Sequence, residues 1–163
     1  MSRIELETDI EAPIERVFDL ARSIDLHKLS TKGSNEEAIA GKTSGLIELG
    51  ETVTWRAKHF GVYQKLTVEI TELDKPNMFE DIMLKGAFKR MKHTHRFEKT
   101  PYGTKMIDQF EFESPLGLLG RWADSLFLKK YMTKFLIDKN KELKRVAESE
   151  DWKKIINETK DRS

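Results

Sequence analysis

The chain of 163 residues contains no cysteine. That absence removes disulfide staples, thiolate nucleophiles and thiolate metal sites together, and it is compatible with a reducing cytosol. An excess of one charge is missing too. Lys plus Arg number 29 against 28 Asp plus Glu, a net charge of +1. So balanced a chain has no overall field with which to gather nucleic acid or an anionic membrane. No run approaches the ~18 apolar residues that a bilayer span needs. The opening MSRIELETDIEAP alternates charged and apolar residues, unlike a signal peptide or an anchor. Gly-rich phosphate loops and a Ser-centred nucleophile elbow are absent. The expectation is a cytoplasmic protein with no integral membrane segment and no nucleic-acid partner.

What is present is a core. Hydrophobic residues make up 38% of the chain, including nine Phe and three Trp, enough for one folded domain without metal or disulfide support. Ile4, Leu6, Thr8 and Ile10 alternate with charges, the period of a strand with one buried face. In APIERVFDLAR the period changes: Ile14, Val17, Phe18 and Ala21 mark an amphipathic helix with Pro13 in its first turn. A second short helix is expected over Ile24–Leu29. The Gly-, Ser- and Thr-rich stretch that follows reads as loop around a short strand, Glu37–Ala40.

From Glu51 the period is two for some sixty residues. Val53, Trp55, Ala57 and His59 share one face. Gly61 turns the chain into a strand carrying Leu66, Val68 and Ile70, and DKPN at 74–77 is turn chemistry. Strands follow at Met78–Lys85, Phe88–Lys99 and Lys105–Ser114, joined by short turns, so an antiparallel meander is predicted. From Ser114, helical spacing returns for over thirty residues, with Leu128, Met132, Phe135 or Leu136, Leu143 and Val146 on one stripe. Ser114 before Pro115 is the start signal, loosened by Gly117 and Gly120. In the tail, Trp152, Ile155 and Ile156 predict a weakly packed helix or a continuation of the long one. A sheet with one wet face must bury the other. The long helix is the cover, and a sheet bent around it tends to leave a cavity of the kind that takes small molecules.

IEAPIERVFDLARSIDLHKLS resembles the opening of the START-like, or SRPBCC, superfamily. GETVTWRAKHFG, MFEDIMLKGAFKRMKHTHRF and DQFEFESPLGLLG are similar to an uncharacterised bacterial ligand-binding branch of it, some of whose relatives are labelled cell-division inhibitor-like. The resemblance covers roughly Ile4 to Val146. It implies an α+β helix-grip fold: an antiparallel sheet of six to seven strands around a long C-terminal helix, with two short helices after the first strand. Residues 1–148 form the domain on this reading, and 149–163 a helical tail. The superfamily spans lipid carriers, hormone receptors, cyclases and oxygenase subunits, so the fold does not carry a function with it.

Strand parity locates a candidate site. In MKHTHRF, Met91, His93, His95 and Phe97 share one face, and Arg90, Lys92, Thr94 and Arg96 the other. The cationic set belongs outside, so both histidines point inward. The same parity turns Met106, Asp108, Phe110 and Phe112 inward on the next strand, and Val53, Trp55, Ala57 and His59 on an earlier one. Over 78–85 either face is possible from the residues. The resemblance favours Phe79, Asp81 and Met83 inward over Glu80, Ile82 and Leu84.

The expected lining is therefore Trp55, His59, Asp81, Met83, Met91, His93, His95, Phe97, Asp108, Phe110 and Met132. Aromatics and methionines supply contact area there, and histidines and acids supply polar ends. Buried ionisable groups need partners. Asp81 and Asp108 could pin the strand register as a closed His–Asp network, orient a ligand, or serve acid–base chemistry. His-x-His with nearby acids can chelate zinc, but no known zinc motif is present, so no metal and no cofactor are expected. The cationic KGAFKRMKHTHR face reads as a solvated sheet surface, and LGLLGRWADSLFLKKYM as a stripe already used by the gripped helix. The leading expectation is a binder of an apolar or amphipathic small molecule. The alternatives are a cyclase, dehydratase or hydrolase using the inward His and Asp, and a regulator acting through its surface.

Overall fold

The computed structural model describes residues 1–114 and 127–160, with side chains as far as Ile156. Alternation produces the first strand: β1 (Ser2–Ile10) buries Ile4 and Ile10 and exposes Arg3, Glu5, Glu7 and Asp9, one dry face and one wet. Pro13 stands directly before α1 (Ile14–Ala21), which buries Ile14, Val17, Phe18 and Leu20. α2 (Ile24–Ser30) starts where Ser23 Oγ accepts the Leu26 N–H at 3.2 Å, a side-chain cap for an otherwise orphan donor. A short 3-10 turn, Lys32–Ser34, leads to β2 (Glu37–Gly41).

The meander follows as β3 (Thr52–His59), β4 (Val62–Asp74), β5 (Met78–Lys85), β6 (Arg90–Thr100) and β7 (Gly103–Glu113). The seven strands lie in the order β1-β7-β6-β5-β4-β3-β2, each pair antiparallel. Phe60 and Gly61, both at positive φ (53° and 77°), form the two-residue turn that pairs His59 with Val62, a geometry whose twist matches that of the strands. Register shifts at Ala38/Ala40, Thr67/Val68 and Ile70/Glu72 bend the β2–β5 half of the sheet.

α3 (Lys129–Ala147) lies across the concave face, against β1, α1 and α2. Its second half is packed, with Asn140, Leu143, Val146 and Ala147 buried. The helix expected to run for over thirty residues is described for 19. The Pro115 end of its expected start, with Gly117 and Gly120, lies outside the described residues. The tail is helical, as expected, and more firmly packed than expected. After a turn at Glu148–Asp151 it forms a separate helix, α4 (Trp152–Lys160), which packs on α1. Ile155 and Ile156 are buried there, and the Arg16 guanidinium lies 4.1 Å from the Trp152 ring centroid. Thr94 also departs from its expected exposure. It sits on the convex face with Lys92 and Arg96 but is buried, donating to Glu80 at 3.2 Å. Among the described residues, no helix is long and apolar enough to cross a membrane.

The β6–β7 hairpin closes against the β1–α1 junction. Thr104 Oγ1 donates to the Ala12 carbonyl at 2.8 Å. Gly103, at φ 153°, passes so close that a Cβ would stand 2.2 Å from the Ile10 carbonyl oxygen. Gly103→Ala should therefore lower unfolding stability by about 2 kcal/mol or more. Gly33→Ala, where a Cβ meets nothing within 4 Å, should be close to neutral. Urea denaturation of the two variants checks this, and equal responses would refute the steric account.

Candidate functional site

Between the bent sheet and the first half of α3, which are joined at His59 and Tyr131, lies a cavity of about 380 Å³, within the ~300–1,000 Å³ range of small-molecule sites. Trp55 and Ala57 of β3, Val68 and Ile70 of β4, Phe79 of β5, Met91 of β6 and Phe110 of β7 form the sheet wall. Tyr131, Met132 and Phe135 of α3 form the opposite wall. Phe60 joins the cavity to the surface, half exposed, its ring 5.4 Å from Phe127 and 4.5 Å from Tyr131. Two polar clusters interrupt this apolar lining.

The first stands on β5, β6 and β7. His93 Nε2 is 2.9 Å from Asp108 Oδ1, and His95 Nδ1 is 2.9 Å from the same oxygen. His95 Nε2 reaches Asp81 Oδ1 at 3.3 Å, and Asn140 of α3 donates to Asp108 Oδ2 at 2.6 Å. The pairing follows the register. His95 lies opposite Asp108 and Asp81 opposite His93, so both direct and diagonal neighbours are within reach. Phe79 stacks on His95 at 4.2 Å, and the two imidazoles lie 3.8 Å apart.

Charge states follow from the geometry. Burial opposes ionisation of Asp108, but the imidazoles facing it hold its carboxyl well below the usual range. Asp81 behaves likewise: burial resists, and His95 and His93 lower it. A nitrogen facing an ionised carboxylate must carry a proton. His95 faces one with each nitrogen, so it is an imidazolium; burial works against that charge, and Asp108 and Asp81 overcome it to raise the pKa. His93 is pushed down to about 4, first by burial and then by the charge on His95. It is a neutral ring with its proton on Nε2.

The second cluster gathers α2, the β2 approach, β3 and α3. His27 stacks on Trp55 at 4.0 Å and pairs through Nε2 with Glu36. His59 Nδ1 is 2.6 Å from the Tyr131 hydroxyl, with Glu36 at 4.0 Å from its Nε2. Burial lowers the pKa of both histidines, against the pull of Glu36. Burial would raise Glu36, but His27 keeps it lowered. Lys139 lines the cavity within electrostatic reach of both Glu36 and Asp81, which links the two clusters.

Eight of the expected residues line this cavity: Trp55, His59, Asp81, Met91, His93, His95, Phe110 and Met132. Three stand off it. Asp108 lies behind the imidazoles, 2% exposed. Phe97 is consumed by core packing, its ring 5.4 Å from Phe18. Met83 lies against the bend at Gly86 beside Leu66. Sequence reasoning missed His27, Glu36, Tyr131, Phe135 and Lys139. His27 follows Ile24 by three residues on the buried side of α2, and Tyr131, Phe135 and Lys139 are spaced by four along α3, so helical periodicity could have found these. Glu36 lies in aperiodic loop and gave no signal. Donor atoms of Asp81, His93 and His95 fall within 4.8 Å of one another. A cation among them would have to break a carboxylate contact of His95, both of whose nitrogens are taken.

Residues 1–148 match the family described as polyketide cyclase / dehydrase and lipid transport. The fold is similar to that of TTHA0849 from Thermus thermophilus, with a TM-score of 0.72 at 24% identity over 88% of this chain and 95% of that one. It is similar also to CV1439 from Chromobacterium violaceum, with a TM-score of 0.69 at 15% identity over 91% and 98%. The ginseng major latex-like protein 151 of Panax ginseng gives a TM-score of 0.67 at 14% identity over 90% and 97%. No curated protein matches the sequence significantly. The seven-stranded helix-grip architecture and a family match across 148 residues agree: this chain belongs to the polyketide cyclase/dehydrase and lipid transport family of the START-like, SRPBCC superfamily.

Proposed function

We propose that the protein binds an apolar or amphipathic small molecule in the cavity between sheet and α3. One observation carries the reading: a preformed cavity of about 380 Å³ whose walls are mainly aromatic and aliphatic, with its histidines and carboxylates gathered in two clusters. Unfilled apolar surface of this size is costly, and a ligand recovers the missing contacts. Trp55, Met91, Phe110 and Met132 would supply contact area, and His59, Asp81, His93 and His95 would orient the polar end. Charge balance and the absence of cysteine favour a cytoplasmic setting.

The neutral fluorophore N-phenyl-1-naphthylamine tests the reading. It should brighten on binding the full chain. Ala57→Phe, which projects a ring into the cavity from β3, should weaken its affinity about tenfold or more without lowering the melting temperature. Unchanged affinity in that variant would place the dye elsewhere and sink the reading. Native mass spectrometry of gently purified protein should show a co-purifying mass that the same variant loses.

The polar end carries opposite pH signatures. His93, lowered to about 4 in the fold, stabilises fully above its ordinary value of about 6.5. That contribution is lost as pH falls from there towards 4, because the unfolded chain takes the proton first. His95 is raised, so its contribution is complete below about pH 6.5 and is lost as pH climbs through its folded value. His95→Gln should flatten the alkaline decline, costing roughly 1–3 kcal/mol near pH 6. His93→Gln should flatten part of the acid decline, the remainder belonging to His27 and His59, which are also lowered. Urea denaturation at about pH 5, 6.5 and 8 measures both limbs. A wild-type profile with neither limb would contradict the assigned protonation.

A further inference from the structure

The first polar cluster is closed at every nitrogen but one. His95 spends both of its nitrogens on carboxylates, and His93 spends Nε2 on Asp108. Nδ1 of His93 has no hydrogen-bond partner among the described residues. Nor is it sealed away: among those residues, the only fully buried side-chain polar atom without a partner is Nε of Arg16. His93 itself lines the cavity. With its proton fixed on Nε2 by Asp108, the ring presents a lone pair at Nδ1. That atom accepts hydrogen bonds and has nothing to donate.

The charge around it is equally specific. Glu36, Asp81 and Asp108 are carboxylates, and His95 and Lys139 are the cations among them. Counting Asp108, which stands directly behind the lining imidazoles, this polar pole is therefore one charge negative. The other lining cations do not offset it: Arg22 is held by Asp19 and Glu48 at 2.8 Å each, and Lys65 stands on the exposed rim. An anion brought into this pole would lose its hydration and meet surplus carboxylate. An uncharged head group loses little.

We infer that the occupant is an uncharged amphiphile whose hydroxyl donates to Nδ1 of His93, and that carboxylate amphiphiles of fatty-acid type are disfavoured, an inference that rests on the cavity being a binding site. The apolar body of such a molecule lies along Trp55, Met91 and Phe110. Its hydroxyl supplies the donor that the closed network lacks.

Displacement of N-phenyl-1-naphthylamine from the full chain tests this with three probes of one chain length: dodecan-1-ol, its methyl ether and dodecanoate. The alcohol should displace the dye at about fivefold lower concentration than the ether, which can accept but cannot donate. It should outdo dodecanoate by about tenfold or more. His93→Phe should abolish the gap between alcohol and ether, and Glu36→Gln should narrow the gap between alcohol and dodecanoate. Dodecanoate binding as well as the alcohol, or alcohol and ether binding alike to the wild type, overturns the inference. Should His93→Phe fail to fold, nitrogen-15 NMR of the wild type gives the same answer. Nδ1 of His93 should appear unprotonated and shift with the alcohol and not with the ether, whereas a protonated Nδ1 refutes the assignment. A dye that enters while all three probes compete equally removes only this inference. A dye that never enters removes the binding reading and this inference with it.

Discussion

One carboxylate, Asp108, ties the concave side of this protein together. At 2% exposure it has almost no water to satisfy it, so its charge must be met by protein. His93 and His95 of β6 meet one oxygen, and Asn140 of α3 meets the other. Through His95 the contact extends to Asp81 on β5. Three adjacent strands and the covering helix are thus fixed by one buried group. Any slip of β6 by one residue would bury Lys92 and Arg96 and strand Asp108 without partners, a cost of several kcal/mol. Such networks specify a geometry more than they add stability, because desolvation offsets much of the attraction between the charges.

The cavity follows from how that anchor divides α3. Asn140 and the residues after it, Leu143, Val146 and Ala147, are buried. The turns before it carry Tyr131, Met132 and Phe135, which stand over the sheet without filling the space below. The sheet bends away where the register shifts in β4 and β5 interrupt the ladder. A helix pinned at one end over a sheet that curves away at the other leaves a gap, and here the gap is lined with aromatics. Members of one fold family can differ widely in what fills that gap, which is why architecture alone carries no ligand. Selection lies with the side chains facing inward.

The chain alone determined a good deal. Period-two alternation located β3 to β7 and, in all but β5, which residues face in, because a strand has only two faces and charge cannot occupy the dry one. The inward direction of His93 and His95 followed from the position of Arg90, Lys92 and Arg96, and that of Asp108 from Gln109, Glu111 and Glu113 on the opposite face of its own strand. The α1 and α2 helices were legible from spacing and from turn residues. Tertiary structure decided what local pattern does not encode. Phe97 and Met83 share the inward parity, yet one packs on Phe18 and the other on the Gly86 bend, since parity gives a face and not a depth. The tail became a packed helix because Arg16 and α1 offer Trp152, Ile155 and Ile156 a surface. Glu36 and His27 lie within nine residues of each other, but Lys139 is about a hundred residues further on, and only the closed fold brings its charge near theirs. Which nitrogen holds each proton depends on those long-range contacts, so the sequence could name the histidines but not their protonation.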